Sequence, residues 1–156
     1  MDTLPFESNM LEPLWTIRDL SNGSSAQTTG LSDDVIKRFC ARDDGELPKL
    51  MHAIAEAVVS FDRLVAEFGI EYMAQDEATL VSSIQSDLIN FYSPATINPY
   101  VAIAARGPWV ITSKGSVLHD NGGYGMLGGG HGPDAIIESM SENWVMANVM
   151  TPSFSQ

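Results

Sequence analysis

Trp109–His119 reads W-V-I-T-S-K-G-S-V-L-H, and this stretch decides the fold of the second half of the chain. Two short runs with β-type composition, Trp109–Thr112 and Ser116–His119, lie on either side of the triplet Ser113–Gly115. Glycine adopts a positive φ without steric cost, so Gly115 suits the turn between two antiparallel strands. The sequence therefore predicts a β-hairpin over Trp109–His119.

A glycine-rich stretch, Asp120–Pro133, follows the hairpin, and seven of its fourteen residues are glycine. Within it, Gly123–Gly128 matches the dinucleotide fingerprint G-x-G-x-x-G. That fingerprint should follow a strand, open a helix directly and precede an acidic residue by about twenty positions. Here a strand ending at His119 does precede the glycines, although it is paired in a hairpin and not in a βαβ unit. Gly129–Pro133 separates the glycines from the next helix, and no acid lies near Asn148. We interpret the stretch as a small-residue loop that passes close to a ligand or a neighbouring subunit, with a flexible linker as the alternative.

The middle of the chain predicts three helices. Ser32 is an N-cap residue followed by two aspartates, which favour the start of a helix. Apolar residues recur every three or four positions over Leu50–Phe68, with Pro48 at the predicted first position and Gly69 just beyond the end. A third helix is predicted from about Asp76 to Phe91.

These elements divide the chain into three segments and predict the α+β class. Residues 1–30 form an N-terminal arm, which is interpreted as a loop or a mobile arm that docks through Phe6 and Trp15. Residues 31–97 form an acidic, bundle-like helical extension. Residues 98–156 contain the β-hairpin, the glycine-rich loop and a short helix that opens at Pro133.

Composition limits the classes of function. The chain has 156 residues, enough for one domain with a core, and a formal net charge of −12. That charge argues against non-specific binding to nucleic acid or an anionic membrane. No apolar run approaches the roughly 18 residues of a membrane helix, and we see no signal peptide. The one cysteine, Cys40, is expected to be a buried small hydrophobe, which fits a reducing, cytoplasmic compartment, and no metal site is expected.

Three motifs together resemble the N-terminal end of class III aminotransferases, which are pyridoxal-phosphate enzymes of fold-type I. They are Gly107–Asp120, Gly122–Gly125 and Gly130–Pro133, and the resemblance covers about Asn98–Gln156. In that family a hairpin ends in an aspartate, and a small-residue loop leads to a Gly-His-x-His-Pro-like turn and a helix that crosses to the large domain. Here the turn reads Gly-His-Gly-Pro and lacks the second histidine. Leu31–Tyr92 has no equivalent in the usual family pattern and is interpreted as an extension.

The resemblance implies that the parent enzyme, a homodimer, moves an amino group between an amino acid or amine and a 2-oxo acid. It assigns no catalytic residue to this chain. It implies that four consecutive residues form one wall of the substrate pocket: Tyr124, Gly125, Met126 and Leu127. The alternative for Tyr124 is that its ring packs on the hairpin. It also implies that Gly128 and Gly129 pass near the pyridoxal phosphate of the partner subunit. His131 is expected to stabilise the turn by a hydrogen bond.

The family's cofactor machinery follows this region, so the chain alone is expected to bind no pyridoxal phosphate and to be inactive. Of its three lysines, Lys37 and Lys49 are predicted on acidic helices and Lys114 in the hairpin turn. None is predicted in a context that would lower its pKa for covalent attachment to the cofactor. The alternative function is a stand-alone acidic helical module that binds a protein partner through the apolar stripe of Leu50–Phe68.

Overall fold

The computed structural model describes residues 9–41, 45–86, 88–89, 93–120 and 129–142, and every structural statement below concerns those residues. The fold is of the α+β class, as predicted. The helices are α1 (Glu12–Leu20), α2 (Asp33–Cys40), α3 (Glu46–Phe68), α4 (Ile70–Met73), α5 (Glu77–Ser86) and α6 (Asp134–Met140). The strands are β1 (Ala102–Arg106), β2 (Trp109–Thr112) and β3 (Val117–His119), in one antiparallel sheet of order β1-β2-β3.

The predicted hairpin is confirmed. Trp109 lies opposite His119 and Ile111 opposite Val117, and Gly115 takes a φ of 71° in the turn. The sheet also contains a strand that the sequence did not indicate, because the alanine-rich β1 has little intrinsic β-propensity. Strand β1 exists through its pairing with the buried β2, where Arg106 lies opposite Trp109.

The first two predicted helices are confirmed, with one difference in their bounds. The Ser32 hydroxyl accepts a hydrogen bond from the Val35 amide at 3.4 Å and so caps α2. Helix α3 ends before Gly69, as predicted, but begins at Glu46 rather than Pro48. Pro48 is tolerated there because the first turn of a helix has no intrahelical partner for its N–H groups.

The third predicted helix is shorter than expected. Asp76 caps it by accepting a hydrogen bond from the Thr79 amide at 2.9 Å, and α5 ends at Ser86. Leu88 and Ile89 lie beyond the helix with 59% and 85% of their surface exposed. The predicted end at Phe91 lies outside the described residues. Apolar side chains continue to recur every three or four positions past Ser86. This spacing alone does not determine where a helix ends.

The interpretation of residues 1–30 as a loop or mobile arm is wrong for part of that segment, since Glu12–Leu20 is helical. Helix α1 was missed because Leu11, at its N-cap position, offers no side-chain hydrogen bond, although Glu12 and Pro13 in its first turn favour a helix start. Leu14 and Ile17 are buried, whereas Trp15 lies at the surface and donates to Asp33 at 2.9 Å. Phe6 lies outside the described residues.

All three predicted segments contribute to one hydrophobic core. Its members come from α1, α2, α3, α4 and the sheet, and include Leu11, Leu14, Ile36, Cys40, Leu50, Ile54, Phe61, Met73, Trp109, Ile111 and Val117. Cys40 is buried, as predicted for a small hydrophobe. Within the described ranges, no helix combines the length and apolar character needed to cross a membrane.

A charged contact between α1 and α2 makes the stability of the fold depend on pH in the acidic range. Burial tends to raise the pKa of Asp33, but hydrogen bonds from Trp15 and Arg18 outweigh it and lower that pKa below its ordinary value. The contact therefore stabilises the fold above the unfolded-state pKa of about 3.9 and is lost as pH falls through the lower, folded-state pKa.

We expect Asp33→Asn to lower the free energy of unfolding at pH 7 by at most about 1 kcal/mol, because solvent screens this partly exposed pair. Urea denaturation at several pH values checks this, and the difference from wild type should disappear in acid. Asp34→Asn, which alters the neighbouring carboxylate at the start of α2, is the control. A difference that grows in acid would contradict the assignment.

Candidate functional site

The Gly-His-Gly-Pro turn lies against the end of strand β1. Gly107 and His131 form an isolated antiparallel bridge, in which each amide donates to the other residue's carbonyl at 2.8 Å. The chain that leaves the sheet at Asp120 therefore returns to the same sheet at His131. This bridge fixes the point from which α6 departs.

Three glycines of this contact leave little room for a side chain, and Gly130 is the one that approaches backbone atoms. A Cβ on Gly130 would lie 2.9 Å from the Gly107 backbone, and a Cβ on Gly132 would lie 2.6 Å from Nη1 of Arg106. A Cβ on Gly107 would lie 2.7 Å from Cδ of Lys49. All three residues also have a positive φ, between 54° and 73°. At these positions the glycines serve packing of the turn onto β1.

A histidine–carboxylate hydrogen bond joins the two ends of the glycine-rich stretch. Nε2 of His131 lies 2.9 Å from Oδ2 of Asp120, and both side chains are about one third exposed at 38% and 33%. The Asp120 amide in turn donates to the Pro108 carbonyl at 2.7 Å. The prediction that His131 stabilises the turn through a hydrogen bond is confirmed.

Arg106 connects this turn to the long helix. Its Nε and Nη2 donate to the Glu56 carboxylate on α3 at 2.6–3.1 Å, a bidentate pair. Its Nη1 donates to the Gly132 carbonyl at 2.7 Å and to Asp134, the first residue of α6, at 3.2 Å. Hydrogen bonding to Glu56 raises the pKa of Arg106 above its ordinary value. The guanidinium therefore links α3, β1 and the turn through hydrogen bonds.

Sequence reasoning did not find Arg106, although one signal was present. Arg106 and Lys114 are the only lysine or arginine residues between positions 98 and 156. In a segment with so few cations, each basic side chain is a candidate for a specific partner. The partner Glu56 lies 50 positions earlier in the chain, so no local pattern could identify it.

The prediction that no lysine lies in a context that lowers its pKa is wrong for Lys114. It is in the hairpin turn, as predicted, but only 1% of its surface is exposed, and burial lowers its pKa despite the opposing effect of nearby Glu77 and Asp76. Nζ donates to the carbonyls of Ser21 at 2.5 Å, Met73 at 2.9 Å and Gln75. Its hydrogen atoms are all engaged, so the amine is held as a structural group.

The residues predicted to form the substrate pocket, Tyr124, Gly125, Met126 and Leu127, lie outside the described residues, and so does Gly128. Gly129 is described and lies beside Pro133, where an added Cβ would be 3.3 Å from the proline Cβ. Among the described residues, no group of three or more His, Cys, Asp or Glu side chains could hold a metal ion.

A cavity of about 330 Å³ lies elsewhere, between α5 and the segment that leads to β1. Val81, Ile84, Asn98 and Tyr100 are among its lining residues, and the described part of that lining contains no charged side chain. The cavity includes none of the residues predicted from the glycine-rich stretch.

The sequence matches no protein-family model, no curated protein and no solved structure.

The close approach of Gly130 to β1 gives a second prediction. Gly130→Ala is expected to lower the free energy of unfolding by about 2 kcal/mol, because the left-handed φ costs about 1–2 kcal/mol and the new Cβ overlaps the Gly107 backbone. Gly45→Ala is the matched control, because Gly45 has a similar φ of 76° but open space around its Cβ position.

Denaturant unfolding of both variants separates the steric effect from the backbone effect. Amide hydrogen exchange at Gly107 and His131 should accelerate in Gly130→Ala and stay unchanged in Gly45→Ala. Equal losses of stability with unchanged exchange at both amides would show that the close approach is not needed.

Proposed function

We propose that this chain is the N-terminal portion of a pyridoxal-phosphate-dependent class III aminotransferase, which transfers an amino group between an amino acid or amine and a 2-oxo acid. One observation carries the proposal: Asp120 at the hairpin end is hydrogen-bonded to His131 in the Gly-His turn, which is itself bridged to Gly107. The order of hairpin, aspartate, glycine-rich stretch, Gly-His turn and helix α6 agrees with the family's order. In this proposal, the contact fixes both ends of a stretch that forms one wall of the substrate pocket.

The proposed wall binds substrate through its side chains and its bare backbone. The Tyr124 phenol would donate a hydrogen bond to a carboxylate of the amino acid or 2-oxo acid. Met126 and Leu127 would pack against the substrate's carbon chain. The glycines at Gly128 and Gly129 would let the backbone pass near the cofactor of the partner subunit in a homodimer. The reacting groups would belong to other parts of the parent enzyme.

The described residues do not fit pyridoxal phosphate as a ligand of this chain alone. The cofactor supplies carbanion stabilisation when it is bound through a lysine amine. Lys114 donates its hydrogen bonds to backbone carbonyls, and Lys49 pairs with Glu46 at 3.0 Å. Lys37 lies on α2 between Ile36 and Arg38, one turn after the acidic start of the helix at Asp33. We therefore propose that the cofactor is bound by further segments of the parent and that this chain is inactive by itself.

Helix α6 supports the proposal that this chain packs against more of a parent enzyme. Its apolar residues Ile136, Ile137 and Met140 are 46%, 49% and 61% exposed, and the helix has no buried residue. Three neighbouring apolar side chains on one short helix are suited to contact with another surface. In the family, the corresponding helix crosses to the large domain.

The alternative of a stand-alone binding module loses most of the face that was proposed for it, since Phe68 at the end of α3 is the one residue of that stripe with more than half of its surface exposed, at 51%. Leu50, Ile54 and Phe61 of the stripe on α3 are each at most 2% exposed and belong to the core. A partner could not reach these side chains without unfolding the domain.

The reading frame beyond Gln156 and the protein it encodes test the proposed function. We expect the longer protein to be yellow from bound pyridoxal phosphate and to lose the colour when one downstream lysine is replaced by alanine. A colourless longer protein with no transaminase activity would refute the proposal. Adding pyridoxal phosphate to the 156-residue chain should give no bound cofactor.

In the longer enzyme, Tyr124→Phe should raise the KM for the amino acid about tenfold, with kcat less affected, because it removes one hydrogen bond to the charged substrate carboxylate, worth about 1.5 kcal/mol. Steady-state kinetics checks this. Tyr100→Phe removes a hydroxyl at the cavity beside α5 and should leave both constants unchanged. An unchanged KM in Tyr124→Phe would remove the phenol from the substrate site.

A further inference from the structure

Lys114 lies in a cage made of backbone oxygen atoms. Its ammonium group has three N–H bonds, and the structure provides three carbonyl acceptors, those of Ser21, Met73 and Gln75. These carbonyls come from the end of α1 and from the junction of α4 and α5. The Lys114 side chain reaches them from the hairpin turn of the sheet, which is 93 positions from Ser21 and 41 from Met73.

The residues around the cage carry more oxygen atoms than the ammonium can satisfy. Ser21 Oγ, Gln75 Oε1 and Glu77 Oε1 are buried and have no hydrogen-bond partner among the described residues. Glu77 itself is fully buried, and its other oxygen accepts from the Gln27 amide at 2.7 Å. Buried oxygen atoms without donors are rare, and a cation is one ligand that satisfies several of them together.

The local charge also favours a cation. The carboxylates of Glu77 and Asp76 attract the Lys114 ammonium electrostatically. Backbone carbonyls with one nearby buried carboxylate suit a monovalent ion, as in potassium filters that coordinate the ion through carbonyl oxygens. Calcium sites generally use several carboxylates, and magnesium keeps most of its water.

We propose that the carbonyls of Ser21, Met73 and Gln75 form a monovalent-cation site that the chain fills with its own Lys114 ammonium, with Glu77 nearby as a source of negative charge. Removal of the lysine amine leaves a site for a potassium or ammonium ion. The cation joins the end of α1, the junction of α4 and α5, and the turn between β2 and β3. The packing of these three segments against one another depends on a positive charge at this point.

The test compares Lys114→Ala with wild type in potassium chloride, ammonium chloride and choline chloride at equal ionic strength. Urea denaturation, followed by circular dichroism, gives the ratio of folded to unfolded protein. In Lys114→Ala, each tenfold increase of potassium or ammonium above the dissociation constant should raise that ratio about tenfold, whereas choline, which is too large, should not. Wild type should show no difference among the three salts.

Two further variants keep the test decisive. Lys37→Ala makes the same change on α2 and should respond to the three salts as wild type does. Lys114→Ala combined with Glu77→Gln should lose most of the potassium response, because the buried negative charge is removed. If Lys114→Ala is unfolded in dilute buffer, the same salt titrations are followed as cation-induced folding. Equal effects of choline and potassium, or no effect of potassium and ammonium on either state, would overturn the proposal.

Discussion

Lys114→Met is expected to lower the free energy of unfolding by about 3–5 kcal/mol, because it leaves buried oxygen atoms without a charged donor. Three backbone carbonyls would lose the ammonium, and the buried Glu77 carboxylate would lose a neighbouring positive charge. Methionine keeps most of the side-chain volume, so the change removes charge and hydrogen bonds with little new cavity. Small domains have a total stability of about 5–15 kcal/mol, so this loss would be severe.

Urea denaturation of Lys114→Met and of Lys37→Met measures this effect against a matched control. Lys37 lies half-exposed on α2, and its replacement should change the free energy of unfolding by no more than about 0.5 kcal/mol. If Lys114→Met lost less than about 1 kcal/mol, buried hydrogen bonds to the ammonium would not be important to the fold. Adding Glu77→Gln should recover part of the loss, because the uncompensated carboxylate becomes neutral.

Arg106→Ala is expected to lower the free energy of unfolding by about 2 kcal/mol, since it removes a bidentate pair and leaves the Gly132 carbonyl without its charged donor, while solvent around the partly exposed Glu56 limits the loss. The bidentate pair with Glu56 and the bond to Gly132 at 2.7 Å would both disappear. Opening of the Gly-His turn should be favoured more than unfolding of the whole domain, because the same side chain holds that turn against β1. We therefore expect the His131 amide to exchange much faster than amides in α3.

Arg63→Ala on the exposed face of α3 is the control and should change stability by at most about 0.5 kcal/mol. Arg106→Lys retains the charge but not the planar fork, so it should show an intermediate loss. A double-mutant cycle with Glu56→Gln isolates the coupling of the pair. Unchanged exchange at His131 in Arg106→Ala would show that the bridge with Gly107 holds the turn without the guanidinium.

Local signals in the sequence predicted the elements whose turn, cap or end depends on a few neighbouring residues. The hairpin over Trp109–His119, the Ser32 cap and the end of α3 before Gly69 are all confirmed. Each depends on a backbone preference within a few residues. Helix α1 had only the weaker start signals of Glu12 and Pro13, because Leu11 cannot cap a helix, and alanine does not favour strand β1.

The sequence by itself determined the α+β class, the hairpin and the apolar stripe of α3, because these follow from local backbone preference and from the period of apolar side chains. Only the tertiary structure decided what the polar residues do. Lys114 meets carbonyls up to 93 positions away, and Arg106 meets a carboxylate 50 positions away. Such partners meet only when distant segments pack together, and removal from water then strengthens the pairing, most of all for the buried Lys114.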